Sequence, residues 1–162
     1  MPGSAPPDAT DVDDVSDDAA LSTADRLAID QLNATYFHAI DGLLGADSDA
    51  RWAGTFTPDG TFTLVDATGA LVAEAAGTDA LVEAWSTFPA VATTRHWSDN
   101  HLVSRDGHGV SASCYIVALE VGVSPATISR TGVYTDQLVE VGGRWLYQHR
   151  TLTLDPNSPR PT

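Results

Sequence analysis

The feature that most narrows the fold is the run from residue 93 to residue 154. Four long strand-like stretches, 93–104, 109–121, 127–140 and 144–154, are separated there only by short turns. "RDGHG" and "VGG" supply tight turns and "GVSP" a looser one, because Gly, Asp, Ser and Pro each favour the backbone angles a reversal needs. Strands joined so closely pair antiparallel, and a meander of that kind has to cover one of its faces. The cover lies upstream in "STADRLAIDQLNATYFHAIDGLL". Ser22 or Thr23 can cap a helix whose first turn holds Asp25, and Leu27, Ile29, Leu32, Tyr36, Ile40 and Leu43 follow at helical spacing. A second stripe, Asn33, Phe37, Asp41 and Leu44, runs about 100° round from Tyr36 and Ile40, so Asp41 flanks the buried face.

Between helix and meander, Ser48 can cap a short helix carrying Trp52 and Phe56. "PDG" at 58–60 reads as a turn, residues 61–66 and 70–75 as a hairpin around "ATG", and "GTDALVEAWSTF" as a helix capped by Thr78. Helices gathered at one end of the chain and strands at the other predict an α+β fold, with one face of a curved sheet packed on the long helix.

With 162 residues the chain is one domain's worth. Residues 1–20 hold six Asp, three Pro and no basic group, a composition that predicts a disordered acidic tail. The domain is expected over 21–156, with a flexible C-terminal tail at 157–162. Net charge is −14 and every basic residue is Arg, with no Arg stripe, which argues against nucleic acid and anionic membranes as partners. No apolar run approaches a membrane span and no signal-peptide layout opens the chain, so a soluble, cytoplasmic protein is expected. The single cysteine, Cys114, forms no internal disulfide and no cysteine-based zinc site. There is no GxSxG elbow, no dinucleotide or phosphate-binding glycine pattern, and no His spacing that specifies a metal. No cofactor is expected.

The chemistry is therefore sought in "TRHWSDNHLV" (94–103), which carries two His, an Arg, an Asp and an Asn in a strand. A period of two places Thr94, His96, Ser98, Asn100 and Leu102 on one face and Arg95, Trp97, Asp99, His101 and Val103 on the other. The second set holds ions that are costly to bury unpaired, so His96, Ser98 and Asn100 are assigned inward. An inward imidazole can exchange a proton near neutral pH, especially if a carboxylate fixes its tautomer, and Asp41 is the carboxylate best placed to do so. His38 is read as exposed, His101 as outward and His108 as in a turn, while His149 shares the parity of Trp145 and Tyr147 in the last strand. Aromatic walls for a pocket are sought at Tyr36, Trp52, Phe56, Phe62, Trp85, Phe88 and Tyr134, with Tyr36, Tyr134 and Asn100 as donors to a substrate oxygen.

"YFHAIDGLLGADSDARWAGTFTPDGTF", "GTDALVEAW", "TRHWSDNHLV" and "GVYTDQLVEVGGRWLYQHRTL", spanning about 24–154, resemble the SnoaL-like branch of the nuclear transport factor 2-like superfamily, which includes scytalone dehydratase and polyketide cyclases. The resemblance implies a cone-shaped α+β barrel around the long helix with an apolar cavity open at one end, and a homodimer or homotrimer formed through the sheet. It also implies an Asp–His proton-transferring pair, matching Asp41 and His96. The dehydratase's second His has no counterpart in "VSASCYIVALEV", and its Tyr before the helix Asp is Ile40 here. The expected activity is thus cofactor-free cyclisation, dehydration or isomerisation of a small polyketide-like secondary metabolite. The alternatives are a ligand-binding or assembly module resembling the small subunit of ring-hydroxylating dioxygenases, and a cyclase acting through cavity shape alone. An open cavity where Asp41 meets His96 would favour the enzyme, and a filled one the module.

Overall fold

A computed structural model describes residues 21–88, 93–107, 109–156 and 158; the acidic tail, His108 and most of the C-terminal segment fall outside the described residues. Three helices, α1 (Thr23–Ile40), α2 (Ser48–Ala53) and α3 (Thr78–Thr87), accompany six strands: β1 (Phe56–Val65), β2 (Leu71–Ala76), β3 (Thr94–Asp106), β4 (Gly109–Glu120), β5 (Thr127–Val141) and β6 (Arg144–Leu154). The strands form one sheet in the order β2-β1-β6-β5-β4-β3. Every neighbouring pair is antiparallel except β1 and β6, which run parallel. The sheet wraps α1 without closing, because β2 and β3 remain its two edges.

Helix α1 starts where its sequence signals place it. Ser22 and Asp25 form a reciprocal capping box, each side chain accepting the other's backbone N–H. The helix stops at Asp41, followed by Gly42 at φ 69°. Gly42 N–H donates to the Ala39 carbonyl and Leu43 N–H to that of His38, the paired bonds of a Schellman motif, which only a residue comfortable at positive φ allows. Ile29, Leu32, Asn33, Tyr36, Phe37, Ala39 and Ile40 are buried, so both stripes face the sheet, while Leu27 and Leu43 lie exposed beyond its cover.

The shorter helices begin one residue earlier than their hydroxyls suggested. Asp47 and Gly77 occupy the N-cap positions, and neither makes a side-chain capping bond. The Ser48 hydroxyl donates instead to the Gly45 carbonyl. "PDG" is an irregularity inside β1, between the pairs Phe56–Tyr147 and Thr61–His149, rather than a turn before the strand. Ser158, in the segment expected to be a flexible tail, accepts the Thr131 N–H through its hydroxyl.

Two bulges re-aim side chains. In β3, Asp99 pairs with Tyr115 and Leu102 with Ser113, so Asn100 and His101 together oppose a single residue of β4. In β6, Tyr147 pairs with Leu138 and His149 with Gln137, leaving Gln148 extra. Alternation therefore reverses beyond each point. His101 turns toward α1 and Asn100 outward, and Arg150 turns inward instead of His149.

Candidate functional site

Asp41 sits where α1 hands over to the Schellman turn, one helical turn beyond Phe37 on the same face. Its side chain is 4% exposed. A carboxylate at a helix C-terminus opposes the helix dipole, typically by about 0.3–1 kcal/mol, so the position needs compensating donors. His96 provides two. As a residue of edge strand β3 it has a backbone N–H directed away from β4, which donates to Asp41 Oδ2 at 3.0 Å. Its ring Nδ1 lies 2.5 Å from Asp41 Oδ1. Since a carboxylate only accepts, Nδ1 carries the proton and Nε2 is left as the ring's basic nitrogen. Phe37 stacks on the imidazole, with ring centroids 5.9 Å apart and planes at 24°. Two bonds to one carboxylate and a stacked ring hold His96 in one orientation.

That imidazole lines a cavity of about 400 Å³ walled chiefly by apolar side chains, among them Ile40, Phe62, Leu64, Phe88, Ile116 and Leu152. Its polar groups are His96, Tyr134, Thr87, Thr94, Glu120, Ser129 and Arg130. The volume lies within the usual range for a small-molecule site. The Tyr134 hydroxyl is 3.5 Å from that of Tyr36, and burial pushes both phenols above their ordinary pKa, keeping them neutral donors.

The other expected wall residues lie elsewhere. Tyr36 sits behind Tyr134, in contact with its hydroxyl but off the cavity wall. Trp52 and Phe56 belong to an aromatic plug: the Trp52 ring lies 5.7 Å from Tyr36, 5.5 Å from Phe56, 5.7 Å from Phe62 and 5.5 Å from Phe88. Trp85 donates its indole N–H to the Ala39 carbonyl and pins α3 to the end of α1. Asn100 is exposed at φ 59°, on the outer side of the β3 bulge, and cannot serve as a cavity donor. These four aromatics and Asn100 are corrections to the sequence-based assignment; Tyr134 does line the cavity.

A second polar group was not anticipated. Arg150 is fully buried, its guanidinium 4.0 Å from the ring centroids of Tyr36 and Tyr134 and 4.3 Å from that of Tyr147. Nη2 donates to Asn33 Oδ1 at 2.9 Å, and Nε lies 3.4 Å from Asp136 Oδ1. Burial works against the charge, but Asp136 beside it wins and raises the Arg150 pKa further. Burial lifts the Asp136 carboxyl to about 6 against the pull of Arg150 and His101. The Asn33 amide donates to Ser98 Oγ at 2.9 Å and lies 2.8 Å from His101 Nε2, whose other nitrogen is 3.1 Å from the surface carboxylate of Asp30. The void beside this cluster is about 10 Å³, so it is a packed network and not a pocket. The inward face of β5, where Arg130, Gly132, Tyr134 and Asp136 alternate, was the available signal for both new cations' surroundings.

Among the described residues no group of three or more His, Cys, Asp or Glu could hold a metal ion, and no helix is long and apolar enough to cross a membrane.

An α+β sheet folded round one helix, with a cavity that His96 lines, is a cystatin-like or nuclear transport factor 2-like fold. The sequence matches the SnoaL-like domain family over residues 22–151, and the chain belongs to that family. None of the curated proteins matches it. Among solved structures, ActVI-ORFA from Streptomyces coelicolor superposes with a TM-score of 0.69 at 23% identity, covering 82% of this chain and 98% of that one. A protein of unknown function with a cystatin-like fold from Nostoc punctiforme gives 0.68 at 22% identity, covering 86% and 97%. A protein from Catenulispora acidiphila, solved in complex with S-DNPA, gives 0.66 at 26% identity, covering 83% and 96%.

Proposed function

We propose that this chain is an enzyme that moves protons on a small, mostly apolar, oxygenated molecule of polyketide type, cyclising, dehydrating or isomerising it without a redox step. The observation that carries the reading is His96, which lines an open apolar cavity and whose Nδ1 lies 2.5 Å from the Asp41 carboxylate behind it. His96 Nε2 takes a proton from carbon beside a substrate carbonyl. The electron pair moves to the carbonyl oxygen, where the neutral Tyr134 hydroxyl can donate. Asp41 stabilises the imidazolium across the Nδ1 bond. Return of the proton to another carbon gives an isomer, loss of a β-hydroxyl gives an alkene and water, and attack of the enolate on a second carbonyl closes a ring. General acid–base action of this kind contributes about 10²- to 10⁴-fold. The complex of the Catenulispora protein with S-DNPA supports a ligand-binding role for this fold. The open cavity weighs against an assembly module, which has no need of one.

The test is deuterium exchange at the α-carbon of 1-tetralone in D₂O, followed by proton NMR. Wild-type protein is expected to accelerate exchange over buffer, and His96→Ala to remove that acceleration by about 10²-fold or more. No acceleration by the wild type, or full activity in His96→Ala, would sink the reading.

As for partners, we propose that the outer face of the sheet meets a second copy. Trp97 (70% exposed) and Leu102 (74%) on β3 lie beside exposed Tyr115 on β4. Exposed aromatic and aliphatic side chains gathered on one face suit a protein–protein contact. Light scattering should show an oligomer that Trp97→Asp dissociates; a monomeric wild type would refute it.

A further inference from the structure

Among the described residues, Arg130 is the one Arg or Lys on the cavity wall. It follows the inward parity of β5, which buries Gly132, Tyr134, Asp136 and Leu138 in turn. The register places it on the same rung as the base: His96 pairs with Ala118, and Ala118 pairs with Arg130. Two strand spacings of about 4.8 Å set the two Cα atoms roughly 10 Å apart. The residue between them on the rung, Ala118, carries only a methyl group and lines the same cavity. A bulge beyond the rung, where Leu119 pairs with Ile128, adds Ser129 to the same wall and sends Ile128 outward.

The contrast with Arg150 is informative. Arg150 has a carboxylate, an amide and three aromatic faces around it. Arg130 has no ion pair and no hydrogen-bond partner among the described residues, and its Nε is shielded from solvent and unpaired. Arg130 is one of the residues that line the cavity. Glu120 lines the same cavity, but one of its oxygens accepts the Gly122 N–H in the β4–β5 turn, and it makes no ion pair with Arg130. Burial disfavours the Arg130 charge and lowers its pKa, yet a guanidinium still keeps its proton at neutral pH. A cation set into a largely apolar wall without a counter-ion is costly, and an anion arriving in the cavity would relieve that cost.

We infer that the substrate is an organic acid whose carboxylate is held by Arg130, with the reacting carbon presented to His96 across Ala118. This deepens the proton-transfer reading and rests on it for what happens to the bound acid. The predicted substrate class is a bulky, largely apolar body that fits about 400 Å³ and bears both a carbonyl and a carboxylate, set apart so that one lies at His96 while the other reaches Arg130. The carboxylate supplies orientation, because a guanidinium fork binds it in a defined plane, and so selects which carbon faces Nε2.

The test needs no turnover. Binding of naphthalene-2-carboxylate and of its neutral analogue 2-acetylnaphthalene is measured by isothermal titration calorimetry on the full chain. Wild-type protein is expected to prefer the carboxylate. Arg130→Gln should weaken the carboxylate by roughly 10- to 100-fold, as loss of a hydrogen bond to a charged group implies, and change the neutral probe less than about threefold. Arg130→Lys should retain part of the preference, Glu120→Gln should increase it, and His96→Ala should leave it intact. Equal binding of the two probes, equal loss of both in Arg130→Gln, or no binding of the carboxylate to the wild type would overturn the assignment. Because tetralone exchange requires no carboxylate, these outcomes are distinguishable from failure of the proton-transfer reading.

Discussion

Two polar groups lie inside the same wrap of sheet around α1, and they are built on opposite plans. Around Arg150 the guanidinium is enclosed by protein: Asp136, Asn33 and three phenol rings surround it, although its Nε and Nη1 make no hydrogen bond, and the adjoining void is about 10 Å³. Around His96 and Arg130 one side is fixed and the other is open, onto about 400 Å³. The His96 ring is clamped from behind by Asp41 and Phe37, and Arg130 has no protein partner at all among the described residues. A charged group enclosed by protein on all sides holds a fold together, whereas groups clamped on one side and facing a cavity on the other are prepared for a ligand. The comparison assigns stability to the first cluster and chemistry to the second, and substitutions should separate the two.

The largest separation is expected from the two arginines. Arg150→Ala leaves Asp136 buried without its counter-ion and removes the group that Asn33 and the phenols pack on, so a loss of about 3–5 kcal/mol is expected in urea unfolding. Arg130→Gln should be neutral or mildly stabilising in the same measurement, since it removes a charge that has no partner. Similar losses for both variants would break the comparison.

The dyad should respond in activity rather than stability. Asp41→Asn keeps the shape of the side chain but removes the charge that stabilises the imidazolium, and exchange of 1-tetralone should fall by about 10²-fold. Stability should change by less than about 1 kcal/mol, because a carboxylate at the negative end of α1 is disfavoured to begin with. Loss of the fold without a specific loss of exchange would mean that Asp41 is a structural group.

How much of this was legible in the sequence follows the same division. The boundaries of the last four strands could be read because turn residues dictate backbone angles locally, and the start of α1 because its capping residues are local as well; the stripes were carried to Leu43 and Leu44, past the end at Ile40. The Asp41–His96 meeting was legible because two simple periods, four along a helix and two along a strand, both hold up to those residues. Arg150 was missed because the bulge at Gln148 shifts parity two residues before it, and His101 was placed outside because the bulge beginning at Asn100 shifts it there. An extra residue in a strand depends on the partner strand's register, which local sequence does not encode. The aromatic walls failed for another reason. A Trp or Phe packs equally well in a plug or along a cavity, and only the arrangement of helices α2 and α3 decides which.

The inner cluster also predicts a pH signature. The folded-state pKa of Asp136 is raised by burial from 3.8 to about 6, so between those values the native protein binds more protons than the unfolded chain. Stability from this group therefore falls as pH rises from about 4 to about 6, by an amount on the order of 2–3 kcal/mol, and stays lowered above that. Other carboxylates slope the opposite way, so the readout is the carboxyl carbon resonance of Asp136, identified by its loss in Asp136→Asn. A midpoint near 4 would show that Arg150 outweighs burial and that the cluster is a tighter ion pair than described.

The smallest effect tests how His101 reaches that cluster. Asn100 adopts φ 59°, a left-handed conformation that Asn and Gly tolerate and that costs other residues about 1–2 kcal/mol. Asn100→Ala should destabilise by about that amount and Asn100→Gly should be close to neutral. Neither should alter 1-tetralone exchange, because the residue points to solvent while His96, four positions earlier, is fixed by Asp41 before the bulge begins. Loss of exchange in Asn100→Gly would return Asn100 to the cavity and erase the boundary between the two regions at this point of β3. Retention of exchange alongside a weakened His101–Asp30 contact, read from the His101 ring resonances, would place that boundary at the bulge.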